Sequence, residues 1–249
     1  MTPPAARSAR SWPRAIVIVL LIWMLTVTML ITVAVWQRPV LRAILLMSWG
    51  LILLWILLGG SLMFHFRNAF CARMQRLPVP PGIGFVVLAT LLACAEEAVT
   101  TLMTNLAPLF GVAIGQAYIT ASTNYLDVIA LHSVVAFIPQ FAVWAGLLTR
   151  YHFRPFAVFL LYGLTGLCNE ILFGGPQQAL NFALWIFVYG LMVYIPAYCF
   201  TTPYPRREVP RWLYPAAIFL PIPSSALSFF LLRWLAPNHP SIHFPPITG

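Results

Sequence analysis

The sequence predicts an all-α, polytopic membrane helix bundle of about seven spans, and three observations carry that prediction. Of its 249 residues, 61% are hydrophobic and only 8% charged, too few charges to cover a water-soluble surface of that size. The apolar residues fall in runs long enough to cross roughly 30 Å of hydrocarbon at about 1.5 Å per residue. All 14 basic residues are Arg, gathered in short clusters between those runs, as juxtamembrane charge is.

The chain divides into a short segment 1–14, one transmembrane domain 15–235 and an irregular, Pro-rich tail 236–249. The first span, 15–36, follows Arg7, Arg10 and Arg14 as a signal sequence would. Its apolar stretch is too long for a signal h-region, so it reads as a retained signal anchor. Further spans are expected at 42–64, 83–106, 128–149, 155–174, 178–200 and 213–235. Between the third and fourth, Gly111 to Asn124 is rich in Gly, Thr and Ser and too polar to span, which suits a re-entrant or interfacial segment. Pro78, Pro80 and Pro81 punctuate the loop before the third span.

Orientation follows from the arginines. With the N-terminus cytoplasmic, eleven of them (Arg7, Arg10, Arg14, Arg67, Arg73, Arg76, Arg150, Arg154, Arg206, Arg207 and Arg211) face inward, leaving Arg38, Arg42 and Arg233 outside. The positive-inside rule therefore predicts a multi-pass cell-membrane protein with a cytoplasmic N-terminus, its main partner the lipid bilayer. The net charge of +9 is spread over loops, so no nucleic-acid partner is expected. The chain has no Lys, which excludes a lysine Schiff base and a P-loop lysine. Cys71, Cys94, Cys168 and Cys199 form no C-x-x-C pair and read as separate small apolar residues.

Three of the five acidic residues, Glu96, Glu97 and Glu170, fall inside apolar spans, where a charge costs about 2.5–3.5 kcal/mol even on lenient insertion scales. Thr90, Cys94, Glu97, Thr101 and Thr104 recur at helical spacing, so one face of the third span must look at protein or water. The fourth span carries His132 and Gln140, the fifth Tyr162, Thr165 and Asn169 beside Glu170. Counting rise per residue puts Glu97, His132 and Glu170 in the outer third of a core about 30 Å thick. Such a set could activate a water, hold a divalent metal or relay protons; residue types alone assign no cofactor. His65, His152, His239 and His243 lie at a membrane edge, in loops or in the tail, and receive no role. The competing reading is a polar network that only fixes helix packing.

The order Glu96-Glu97, His132, Asn169 on successive spans resembles the CAAX-processing and bacteriocin-immunity family of glutamate intramembrane proteases, with motifs E-E-x-x-x-R, F-x-x-x-H and H-x-x-x-N. The resemblance covers residues 96–169 and departs from the pattern at Thr101, Val128 and Thr165, where the motifs have Arg, Phe and a second His. It implies a divergent glutamate-dependent protease cutting a membrane-embedded peptide. Glu97 or Glu96 would be the base, His132 its partner and Asn169 the oxyanion donor. Two other classes stay open: a proton- or cation-coupled transporter using Glu97 and Glu170, and a non-catalytic membrane subunit or scaffold. Transport predicts a polar path reaching both faces, hydrolysis a pocket open to one side.

Overall fold

The computed structural model describes residues 12–200 and 206–247. Arg7, Arg10 and most of the segment 1–14 lie outside the described residues, as does the start of the loop after the sixth span. The protein is an all-α membrane bundle in which seven helical stretches are long and apolar enough to cross a bilayer. They are α1 (Trp12–Ala34), α2 to α3 (Pro39–Leu51 and Gly60–Met74, joined through a π-helical stretch Ile52–Gly59), α4 (Pro81–Asn105), α5 and α6 (Tyr125–Leu131 and Ser133–Arg150), α7 (Pro155–Gly174), α8 (Phe182–Cys199), and α9 and α10 (Leu213–Phe219 and Ser224–Leu235). Pro at the first turn of α2, α4 and α7 suits the position where a backbone N–H has no helical partner anyway.

Boundaries differ from the sequence reading in three places, each with a local cause. The second span runs unbroken for 36 residues, because the polar stretch around Arg67 and Arg73 continues the helix beyond the apolar run. The fourth is interrupted at His132, whose backbone (φ −129, ψ −111) leaves the helix between α5 and α6. The seventh is split where Pro221 and Pro223 withhold backbone donors.

At the centre stands α8, apolar on every side and buried along most of its length, as a helix without a polar face must be. It packs on α1, α3, α4 and α7, while α4 packs on α6 and α10 lies along α6. Lipid tails are as apolar as Leu, so close backbone approach replaces the hydrophobic effect in joining the spans. Between α7 and α8 that approach needs glycine: a Cβ on Gly163 would stand 2.6 Å from the Ile186 carbonyl oxygen, and one on Gly190 2.6 Å from that of Phe159. Side-chain bonds to backbone fasten the last span, Ser225 and Ser228 donating to the carbonyls of Ala136 and Val135, and Thr165 to Ile218. Outward, Ile18, Val19 and Ile22 on α1 and Leu227, Phe230 and Trp234 on α10 are exposed, the surface a bilayer solvates.

Successive spans alternate in direction. One end of the bundle, the loop end, therefore carries residues 106–124, the turn at Gly175 and the C-terminal tail; the other, the Arg end, carries Arg67, Arg73, Arg76, Arg150 and Arg154. At the Arg end Cys71 of α3 and Cys199 of α8 are disulfide-bonded, their Cα atoms 4.7 Å apart. This corrects the reading of four separate cysteines: a separation of 128 residues gives no spacing signal. Cys94 and Cys168 are free and half-buried.

Candidate functional site: a carboxylate cavity and a histidine cluster

Near the loop end a cavity of about 110 Å³ opens between α4, α6, α7 and α8. Its polar wall is Glu96, Glu97 and Thr100 from α4, Ser133 from α6 and Glu170 from α7. Phe137, Val188, Tyr189 and Met192 complete it below, and Ile119 and Thr120 of the 106–124 loop roof it. Two consecutive glutamates can both face the cavity because a helix turns only about 100° per residue, and α4 is buried on a broad face.

Hydroxyl groups converge on Glu97. Thr100 lies 2.9 Å from Oε2 and Thr120 donates over 3.3 Å, while Ser133 lines the cavity beside them. Tyr189 donates to Glu170 Oε1 over 2.6 Å. The roof is held by α4 itself: the Ile119 amide donates to Thr104 Oγ1 (3.2 Å) and Asn105 Nδ2 to the Thr123 carbonyl (3.0 Å). The segment read as re-entrant or interfacial is thus a lid of turns bonded to the end of α4.

The cavity is blind on its Arg-end side. Phe85, Ala89 and Ala93 on α4, Phe141 and Trp144 on α6 and Val193 on α8 follow below it in a packed apolar core. In the neighbouring layer Tyr162 donates to Gln140 Oε1 (3.0 Å), and Gln140 Nε2 donates to Ser225 (2.6 Å).

His132, paired with Glu97 by the sequence reading, is engaged elsewhere. The helix break at His132 turns its ring to the loop end, into a cluster with Asp127, the last acidic residue before the break, and His239 and His243 of the tail. The Nε2 atoms of His132, His239 and His243 lie 3.4, 3.2 and 2.9 Å from the Asp127 carboxylate oxygens. Those of His132 and His239 are 3.0 Å apart, those of His239 and His243 3.3 Å. All four donor groups sit within 4.8 Å of one another. Despite these distances, Asp127 Oδ2 is shielded from solvent and receives no well-directed hydrogen bond among the described residues. The tail that carries two of the rings is irregular but seated: the His243 amide donates to the Ala121 carbonyl (2.8 Å), Tyr118 donates to Pro245, and Tyr118 stacks on Phe244.

Of the five residues singled out from sequence, Glu96, Glu97 and Glu170 meet in the cavity, and His132 joins the cluster instead. Asn169 is buried on α7 but does not line the cavity. Sequence reasoning gives His239 and His243 no role and does not single out Asp127, because the tail reads as irregular and its neighbours lie more than a hundred residues away. The signal was there in the spacings Asp127-x4-His132 and His239-x3-His243. The two groups adjoin through one peptide unit, since His132 belongs to the cluster while Ser133 lines the cavity. Compared with known proteins, the chain matches no family model, and no curated protein or solved structure is significantly similar to it.

Proposed function

We propose that this protein is a membrane-embedded hydrolase whose water-activating group is Glu97, with Glu96 and Glu170 as proton-sharing partners in the same cavity. The observation that carries this reading is the cavity's closure toward the Arg end: three carboxyl groups reach a single space of about 110 Å³ that a loop roofs and Phe137, Val188, Tyr189 and Met192 complete below, with the packed core of Phe141 and Trp144 beyond them. A carrier needs polar access from both faces, whereas a hydrolase needs a shielded water next to a general base. The Thr100 and Thr120 hydroxyls beside Glu97 hold its carboxylate as an acceptor and fix its rotamer. A peptide bond in a membrane-embedded segment is the substrate that the resemblance of Glu96-Glu97 to the glutamate intramembrane proteases implies. The arginine partition favours a cytoplasmic N-terminus in a cell membrane, with the cavity toward the outer leaflet.

The test is cleavage of single-span membrane peptides in proteoliposomes, followed by mass spectrometry. Glu97→Gln keeps the shape and hydrogen bonding of the side chain but cannot accept a proton. It is expected to lower the rate by about a hundredfold or more at unchanged thermal stability. Cleavage at the wild-type rate by Glu97→Gln overturns the assignment, and a Glu97-dependent proton flux in peptide-free liposomes replaces it with transport.

A further inference from the structure

We infer that Asp127, His132, His239 and His243 form a binding site for a divalent transition metal of the zinc class, and that this metal fastens the C-terminal tail over the roof of the carboxylate cavity. Three imidazoles and one carboxylate are the donors such ions take, and metal–ligand bonds of about 2.0–2.1 Å in a tetrahedron place neighbouring donor atoms about 3.3 Å apart. Five of the donor-to-donor separations here, 2.9 to 3.4 Å, straddle that value, and all four donor groups fit within 4.8 Å of one another.

Hydrogen bonding alone accounts for the cluster poorly. Each neutral imidazole uses Nε2 either as donor or as acceptor, yet His239 Nε2 stands within 3.3 Å of two other Nε2 atoms and a carboxylate oxygen. Asp127 Oδ2, buried beside two of the rings, is left without a directed donor. One cation at the common centre satisfies all four groups at once.

The four protein donors close the coordination sphere, the pattern of a structural site rather than one with an open position. Its mechanical effect can be followed through the chain. The metal would join the tail to α5 and to the start of α6. The tail in turn holds the lid through Ala121 and Tyr118, and the lid supplies Ile119 and Thr120 to the cavity. Metal binding stands apart from the proposed hydrolysis, because it is measurable with no substrate present.

The experiment uses the full chain purified in detergent by a tag free of histidine, stripped with chelator and reloaded with zinc or cobalt(II). One zinc per chain by elemental analysis is expected, with the strong visible absorption of tetrahedral cobalt(II) in the cobalt form. His239→Ala and His243→Ala each lie in the tail, outside the folded spans, and are expected to abolish both signals, while His65→Ala leaves them intact. In hydrogen–deuterium exchange, residues 237–247 should lose protection on chelation and regain it with zinc. Substoichiometric metal in the reloaded wild type, or full metal retention in the His239→Ala, His243→Ala double variant, would overturn the site. Unchanged tail exchange on chelation would overturn the fastening role.

Discussion

Each buried polar side chain in this bundle can be sorted by whether its partners complete it. Gln140, Tyr162 and Ser225 satisfy one another and touch neither the cavity nor the histidine cluster, so their work is to hold α6, α7 and α10 together. Tyr162→Phe should therefore cost about 1–2 kcal/mol by stranding the Gln140 oxygen, seen as a lower unfolding temperature in detergent, with any catalytic activity unchanged. Glu97 is the opposite case, a carboxylate surrounded by donors at the wall of a cavity. The intramembrane glutamates were legible in the sequence because their cost is intrinsic to the residue type. The partners of His132 were not, since a histidine's neighbours depend on where distant chain segments come to rest.

Among the helices, the α7–α8 contact has the least slack. A methyl on Gly163 meets backbone of Ile186, which cannot yield as a side chain could, whereas one on Gly146 of α6 meets nothing within 4 Å. Gly163→Ala is expected to destabilise the protein by about 1–3 kcal/mol and Gly146→Ala to leave its thermal unfolding unchanged. The spans themselves were readable from apolar run length, and the buried faces of α4 and α7 from the recurrence of Thr, Glu and Asn. What escaped was the manner in which spans end or break. The extension of the second span to Met74 and the break at His132 depend on polar residues finding protein partners, which no local pattern records.

For the molecule as a whole, orientation decides which aqueous phase each end meets. Single cysteines introduced into a cysteine-free background at Ala113, in the exposed lid, and at Val79, in the loop at the Arg end, should react oppositely with an impermeant maleimide. In intact cells Ala113→Cys is expected to label and Val79→Cys to be protected; the reverse pattern inverts the orientation. The native Cys71–Cys199 pair offers a compass that needs no engineering. It sits at the Arg end, and the cytosol keeps thiols reduced while the exterior and the bacterial periplasm do not. The bond seen in the structure favours an oxidising phase at the Arg end, the arginine partition a cytosolic one. If the arginine partition is right, acid-quenched cells probed with a mass-tagged thiol reagent should yield a chain with both positions reduced and tagged, the bond closing only after oxidant is added. A chain that resists tagging at Cys71 and Cys199 until a reductant is supplied would have the Arg end outside and the histidine cluster in the cytoplasm, where the metal supply is buffered. Two sulfur atoms thus record which way the protein was inserted.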